Sequence, residues 1–338
     1  MIKSIIYGLF WLGVAVGALS SESAIGLERI LISVPGPHAL SYLPIDLIPK
    51  IGADRAEGVH LQILYTGGGS VALNNLITRN ADFAVAGVPA VMSLGSNRGE
   101  IKIIAAVDDV PLFVLMVAAT RKDQIKRIAD LRGKVVGVNT STSFSKTTSQ
   151  QLMELLLQSD GVIINTVRIV PAGQNWIEQS ALIISGAADA IMGDEPFASR
   201  LLKEGKVFFL ANLADPETVK GIKGTQFLHA ALETRTDIIA QAPEKVAQMV
   251  GMVQRSLAWI TSHSPEQVVD VLNITDPQER ASLLLSLGKY PNAFSRNGKF
   301  STTQLQETEL FFRSANNGNF PDFYLEGMIN DHWVGRQP

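Results

Sequence analysis

The sequence predicts an α/β fold of two similar lobes that face each other across a cleft. Three observations lead there. Residues 66–90, TGGGSVALNNLITRNADFAVAGVPA, return in looser form at residues 173–198, GQNWIEQSALIISGAADAIMGDEPFA. With Asp82 laid on Asp189, Leu76 meets Ile183, Ile77 meets Ile184, Ala81 meets Ala188 and Pro89 meets Pro196. Each copy reads as a glycine- or amide-rich loop, a helix, an Ala-Asp turn, a short buried strand and a loop closed by proline, which is half of a βαβ layer. Second, residues 112–119 and 227–232 are apolar without a turn signal and read as two crossings between the lobes. Third, 338 residues, 46% hydrophobic and 18% charged, supply cores for one large or two ordinary domains.

The elements follow in order. Residues 29–34 form an apolar strand, Pro35 to His38 a loop, and residues 42–51 a helix despite Pro44. A second strand, 61–65, delivers the chain to Gly67, Gly68, Gly69 and Ser70, where glycines before a helix let the backbone approach a ligand and leave free N–H groups. No Gly-Lys-Ser/Thr follows, so this loop is not a Walker motif. Proline at the close of each copy suits the first residue of a further helix. Each copy therefore ends at a strand's C-terminal edge, where open parallel sheets hold ligands. The strand 101–107 ends in Asp108 and Asp109. A turn at 130–134 precedes the strand 135–138, and the polar run 139–145 leads into a helix with Leu152, Leu155 and Leu156 inside. Strands at 167–170 and 207–210 flank the second copy. Pro243 opens a long amphipathic helix, Ser264-Pro265-Glu266 restarts it, and a helix at 303–313 closes the fold.

Composition narrows the function. Net charge is -3 and basic residues are scattered, so no electrostatic footprint for nucleic acid is present. Residues 1–24 carry Lys3, an apolar run at 5–19 and then Ser20, Ser21, Glu22, Ser23 and Ala24, the pattern of a secretory signal; the run is short of the roughly 20 residues a spanning helix needs. The expected location is the periplasm. With no cysteine the mature chain has no disulfide and no lipidated N-terminus. Five histidines without ligand spacing, no nucleophile elbow and no serine-histidine-acid set give no catalytic residue, no metal site and no cofactor to nominate. The expected function is binding without turnover, by a monomer.

The cleft lining should come from residues 35–42, 66–70, 87–89, 108–111, 139–145, 173–176 and 194–196. None of these is arginine, so a bidentate guanidinium clamp is not offered. An oxyanion would rest on the backbone N–H groups of Gly68, Gly69, Ser70 and Val88 and on the polar run Asn139, Thr142 and Ser143, with His38 nearby. Asp108, Asp109, Asp194 and Glu195 suit an amine at the other end, and Tyr42, His38, Phe144 and Trp176 a planar or apolar body, with the amides Gln174 and Asn175 beside Trp176. Structural alternatives stand beside these roles. The hydroxyl run also reads as a turn and N-cap, Glu195 as a helix-dipole residue, Asp108 as a turn acid, and His38 as a surface loop residue.

These residues also carry a family resemblance. The Gly-Gly-Gly-Ser loop with Leu73 and Leu76, the turn Ala81-Asp82-Phe83, the turn from Asp130 to Lys134 before Val-Gly-Val, and Asp189-Ala190 followed by Glu195-Pro196 resemble the periplasmic solute-binding proteins of ABC importers for aliphatic sulfonates, nitrate, taurine and thiamine-pyrimidine precursors. The resemblance spans nearly the whole mature chain. It implies the type II two-lobed periplasmic binding fold, with 25–112 plus 229–338 as lobe one and 113–228 as lobe two. It further implies a ligand enclosed by closure and, as partners, a small molecule and an inner-membrane permease with its ATPase. A sulfonate or taurine-like ligand fits the hydroxyl and backbone lining; an amino-pyrimidine or aromatic acid fits the aromatic and acidic one. A ligand-sensing role shares the same binding step. Pyrimidine synthases of the same fold family use a cysteine-rich motif that is missing from this sequence.

Overall fold

Two five-stranded sheets order the chain in the computed structural model, which describes residues 27–316 and 325–337. The leader expected at 1–24 lies outside them. The first lobe contributes β1 (Glu28–Val34), β2 (Val59–Tyr65), β3 (Phe83–Gly87) and β4 (Ile101–Ala106). The second contributes β5 (Phe113–Ala118), β6 (Val135–Val138), β7 (Arg168–Pro171), β8 (Ala190–Asp194) and β9 (Val207–Asn212), after which β10 (Ala230–Arg235) rejoins the first. The strand orders are β2-β1-β3-β10-β4 and β7-β6-β8-β5-β9. Residues 112–119 and 227–232, expected as crossings, are thus largely strands. The connections proper are 107–112 and 213–229. β10 and β5 are the antiparallel members of their sheets, and each arrives directly from the other lobe. β5 is buried on both faces, which explains its unbroken apolar run.

The internal repeat is structural. With Asp82 on Asp189, α3 (Gly69–Ile77) lands residue for residue on α6 (Trp176–Ile184), and β3 lands on β8. The two aspartates have the same task. The Asp82 carboxylate accepts the Leu31 N–H at 3.2 Å while its own N–H donates to the Leu31 carbonyl at 2.9 Å. The Asp189 carboxylate and N–H do the same with Val135, both at 2.8 Å. Each pins the helix-to-strand turn to the neighbouring parallel strand. The prolines differ slightly from expectation: Pro89 is the second residue of α4 (Val88–Met92), and Pro196 is the N-cap of α7 (Phe197–Lys203).

The remaining helices clothe the sheets. α1 (Leu43–Lys50) and α2 (Ala53–Ala56) flank β2, and α5 (Thr148–Ser159) covers the second sheet with Leu152, Leu155 and Leu156 buried. α8 (Thr236–Gln241) leads into α9 (Pro243–Ser262), whose Val246, Met249, Val250, Val253, Leu257 and Ile260 enter the first core. Ser264 and Gln267 form a capping box that opens α10 (Pro265–Leu272). α11 (Pro277–Lys289) packs on α7 of the second lobe. β11 (Phe300–Ser301), which pairs with β12 (Arg336–Gln337), precedes α12 (Thr302–Ala315). α12 stacks Phe311 on Phe227 at 4.4 Å within the second core. The stretch 229–338 therefore braces both lobes rather than belonging to the first alone. Among the described residues no helix is long and apolar enough to cross a membrane.

Candidate functional site

The two connections between the lobes meet at a buried pair. Asp108 follows β4 and His229 precedes β10, and both are essentially without solvent exposure. Asp108 holds the His229 Nδ1 at 2.9 Å and accepts the Ala230 N–H at 2.7 Å. A buried carboxylate needs such partners, since leaving it unpaired costs several kcal/mol. His229 is thereby fixed, edge-on to Phe113 with ring centroids 4.7 Å apart and 6.0 Å from Tyr42.

These three rings wall a cavity between the lobes. Gly69, Gly87 and Ala90 complete it from lobe one, and Asn139, Thr147, Thr148 and Gln174 from lobe two. At about 10 Å³ it holds roughly one water. The lobes are shut around it. The Leu40 N–H donates to the Glu195 carbonyl at 2.8 Å, Lys146 N–H to Ser93 Oγ at 3.0 Å, and Gln151 Nε2 to the Pro89 carbonyl at 2.9 Å. Gln174 Nε2 reaches Tyr42 Oη at 3.5 Å.

Two chemistries lie around the cavity; Thr148, Asn139 and Gln174 line it, while Ser70, Ser145 and Asp194 are not among the lining residues. On one side lie the first turns of α3 and α5, whose unpaired N–H groups favour negative charge. Ser70 Oγ in α3, Thr148 Oγ1 in α5 and Ser145 Oγ just before α5 are buried without a hydrogen-bond partner. On the other side Asp194, at the end of β8, is held by Gln174 Nε2 at 2.7 Å, Gln179 Nε2 at 2.8 Å and the Asn139 amide. Burial pushes its carboxyl up to about 6, against the pull of those amides and of His229. Burial also raises the Tyr42 hydroxyl well above its usual range. No lysine or arginine is among the lining residues.

The residues expected from sequence separate into two groups. Tyr42, Gly69 and Asn139 line the cavity, and Asp108 stands directly behind it, holding His229. Gly68 is the N-cap of α3 and abuts the Thr140 backbone of the other lobe; Ser70 is buried in the same turn. The others do not reach the cavity. His38 pairs with Glu279 at 2.6 Å, and this bond raises its pKa. Val88 is core, its N–H spent on the His229 carbonyl. Thr142 closes a local turn by accepting the Phe144 and Ser145 N–H groups, which leaves Ser143 and Phe144 exposed. Asn175 is the N-cap of α6, and Trp176 lies under the Arg200 guanidinium at 3.8 Å. Glu195 accepts the Ser199 N–H and hydroxyl and the Tyr290 hydroxyl, and burial still raises its carboxyl.

Sequence reasoning passed over Ala90, Phe113, Thr147, Thr148 and His229, and reached Gly87 and Gln174 only through the loops 87–89 and 173–176. A histidine inside the apolar run Phe-Leu-His-Ala-Ala-Leu was a signal, because a buried imidazole needs a polar partner. The hydroxyl run was extended too short: α5 begins at Thr148, so the hydroxyls at its start are Thr147 and Thr148.

Comparison with known proteins agrees with the fold. No curated protein sequence matches the chain. A protein of Bordetella bronchiseptica RB50 has the same fold at 19% identity and TM-score 0.78, covering 90% of this chain and 95% of its own. The alkanesulfonate-binding protein SsuA from Xanthomonas axonopodis pv. citri, bound to MOPS, is similar at 15% identity and TM-score 0.69, covering 91% and 100%. The desulfurization enzyme DSZB shares the fold at 17% identity and TM-score 0.57, covering 90% and 97%. The family model described as "NMT1/THI5 like" matches residues 55–267, a stretch that includes both copies of the repeat, Asp108 and His229, and on that match the chain belongs to the NMT1/THI5-like family.

Proposed function

We propose that the chain is the substrate-binding component of an ABC importer, working in the periplasm and handing a small molecule to a permease. The observation that carries this reading is a cavity walled by both lobes and sealed by bonds from one lobe to the other. A ligand touching both lobes favours the shut form by its differential affinity for it. The sulfonate-binding protein among its structural neighbours supports the same role.

The lining selects a ligand with unlike ends. The Thr148 hydroxyl and the helix N-termini of α3 and α5 suit a compact oxyanion, and the lining amides Asn139 and Gln174, braced by Asp194 behind them, suit an amine or other donor. A taurine-like zwitterion satisfies both. A second reading, an amino-substituted planar ring, is favoured by the walls of Tyr42, Phe113 and His229. Binding proceeds without turnover, since the lining offers no nucleophile activated by a base.

Thermal melts with taurine, ethanesulfonate and an amino-pyrimidine test this. A ligand at about 100 times its dissociation constant adds roughly 2.7 kcal/mol. A shift with taurine that is lost with ethanesulfonate supports the zwitterion, and a shift confined to the pyrimidine supports the second reading. Chemical change of the bound compound, followed by NMR, would overturn the non-catalytic reading.

A further inference from the structure

A second cavity, of about 680 Å³, lies on the outer side of the same crossing. That volume is within the range of small-molecule sites. Val268 of α10, Leu287 of α11 and Phe294 give it an apolar floor. Asp109, Arg296 and His263 line it together with the neutral polar side chains Thr261, Tyr290 and Asn292. Asp109 is the residue after Asp108, and its neighbour's side chain serves the cleft while its own serves this cavity. The wall is strapped to the crossing: the Asp109 N–H donates to the Ala293 carbonyl at 2.8 Å, and the Ser295 N–H to the Val107 carbonyl at 3.0 Å.

The two opposite charges are set near each other without joining. Burial and the neighbouring Asp108 charge disfavour the charged Asp109 carboxyl, while the Gln304 side chain and then the Arg296 charge favour it; Oδ1 is buried without a hydrogen bond, and Asp109 and Arg296 form no ion pair among the described residues. Arg296 itself is exposed. His263 is held in place by its Nδ1 contact with the Trp259 carbonyl at 2.7 Å and by stacking on the Trp259 ring at 3.9 Å. A buried carboxylate oxygen with no partner costs free energy that an ammonium group would recover. A guanidinium free of a carboxylate is suited to a bidentate one. An apolar floor between them rewards a hydrocarbon side chain.

We propose that this cavity is a second binding site, for a small α-amino acid with an apolar side chain. The ligand's ammonium meets Asp109, its carboxylate meets Arg296, and its side chain lies on Val268, Leu287 and Phe294. The site is independent of the cleft, and its ligand class rests on these residues and not on the reading given above for the cleft.

Titration calorimetry with L-leucine, on the mature protein, tests it. Saturable binding of one equivalent is expected, weakened at least about tenfold by Arg296→Ala and by Asp109→Asn. Thr148→Val, in the cleft, leaves it unchanged. 4-Methylpentanoate, without the amine, and isopentylamine, without the carboxylate, bind at least about tenfold more weakly than leucine. Arg296 is exposed, so its variant folds, and circular dichroism checks the other. The proposal is overturned if leucine, isoleucine and phenylalanine all fail to bind at millimolar concentration. It is equally overturned if leucine binding is lost in Thr148→Val and kept in Arg296→Ala, because the amino acid then occupies the cleft. Failure of taurine and the pyrimidine to shift the melt bears only on the cleft reading.

Discussion

Gly36 of the first lobe stands against the backbone carbonyl of Gln174 in the second so closely that a Cβ there would overlap the carbonyl oxygen. Gly68 meets the Thr140 carbonyl in the same way, with 2.7 Å left for a Cβ. Both contacts run between lobes, and neither glycine needs a left-handed backbone. An alanine is thus harmless in an open molecule and obstructive in a shut one. Gly36→Ala and Gly68→Ala should each weaken ligand binding at least about tenfold, matching an overpacking cost of roughly 1–3 kcal/mol. The melt of the ligand-free protein should move little, and small-angle scattering should show the variants remaining extended in the presence of ligand.

The Asp108–His229 pair ties one connection to the other. Removing one member of such a pair leaves the other buried and unpaired, at a cost of about 3–5 kcal/mol. His229→Phe roughly keeps the ring volume and removes the carboxylate's histidine partner, so the unfolding free energy from denaturant titration should fall by that amount. An unfolding free energy within error of the parent would show that the pair does not hold the two connections together.

Thr148 and Ser143 make a matched comparison. Thr148→Val removes a buried, unpartnered hydroxyl while keeping the shape of the side chain. Stability should change by less than about 1 kcal/mol, because no hydrogen bond is lost. Binding of the cleft ligand should drop at least about tenfold. Ser143→Ala, at an exposed turn, should leave affinity within about twofold.

Stability should depend on pH through Asp194. Its folded pKa, about 6, lies above the ordinary aspartate value of 3.8. The folded state therefore holds the proton more tightly, and the carboxyl costs nothing below about pH 4. Stability is lost as pH rises through the interval to 6, by an amount on the order of 3 kcal/mol. Asp194→Asn should remove this loss, so the gap between variant and parent should open between pH 4 and 6 and stay constant above. Glu233 in β10 behaves in the same sense. Burial raises its carboxyl well above the usual range, and neither oxygen makes a hydrogen bond of normal geometry, although the Ala86 N–H favours its charged form. Glu233→Gln should therefore raise the melting temperature at neutral pH.

Much of the frame was legible because periodicity and burial are local signals. The repeat could be laid residue on residue, and the long helix from Pro243 announced itself by its apolar face. The crossings were placed on β5 and β10 because an apolar run does not say whether it leaves a sheet or joins one. That depends on antiparallel partners far away in sequence, Gly193 for Val114 and Val85 for Leu232. The site was legible by loop and not by side chain. Gln174 rather than Asn175 faces the cavity, because Asn175 is spent capping α6. Glu195 is likewise spent on Ser199 and Tyr290, which only the packing of α11 against α7 brings near.

The register of the repeat has one more consequence. Gly87 ends β3 where Asp194 ends β8, and Gly67 stands where Gln174 does. At matching positions one half presents bare main chain and the other presents functional groups. Gly87 is obliged to be bare, since a Cβ there would overlap Thr148 Oγ1. Two halves built on one repeat thus enclose a cavity with unlike walls, and a guest that reads both has a single admissible orientation, head toward one half and tail toward the other.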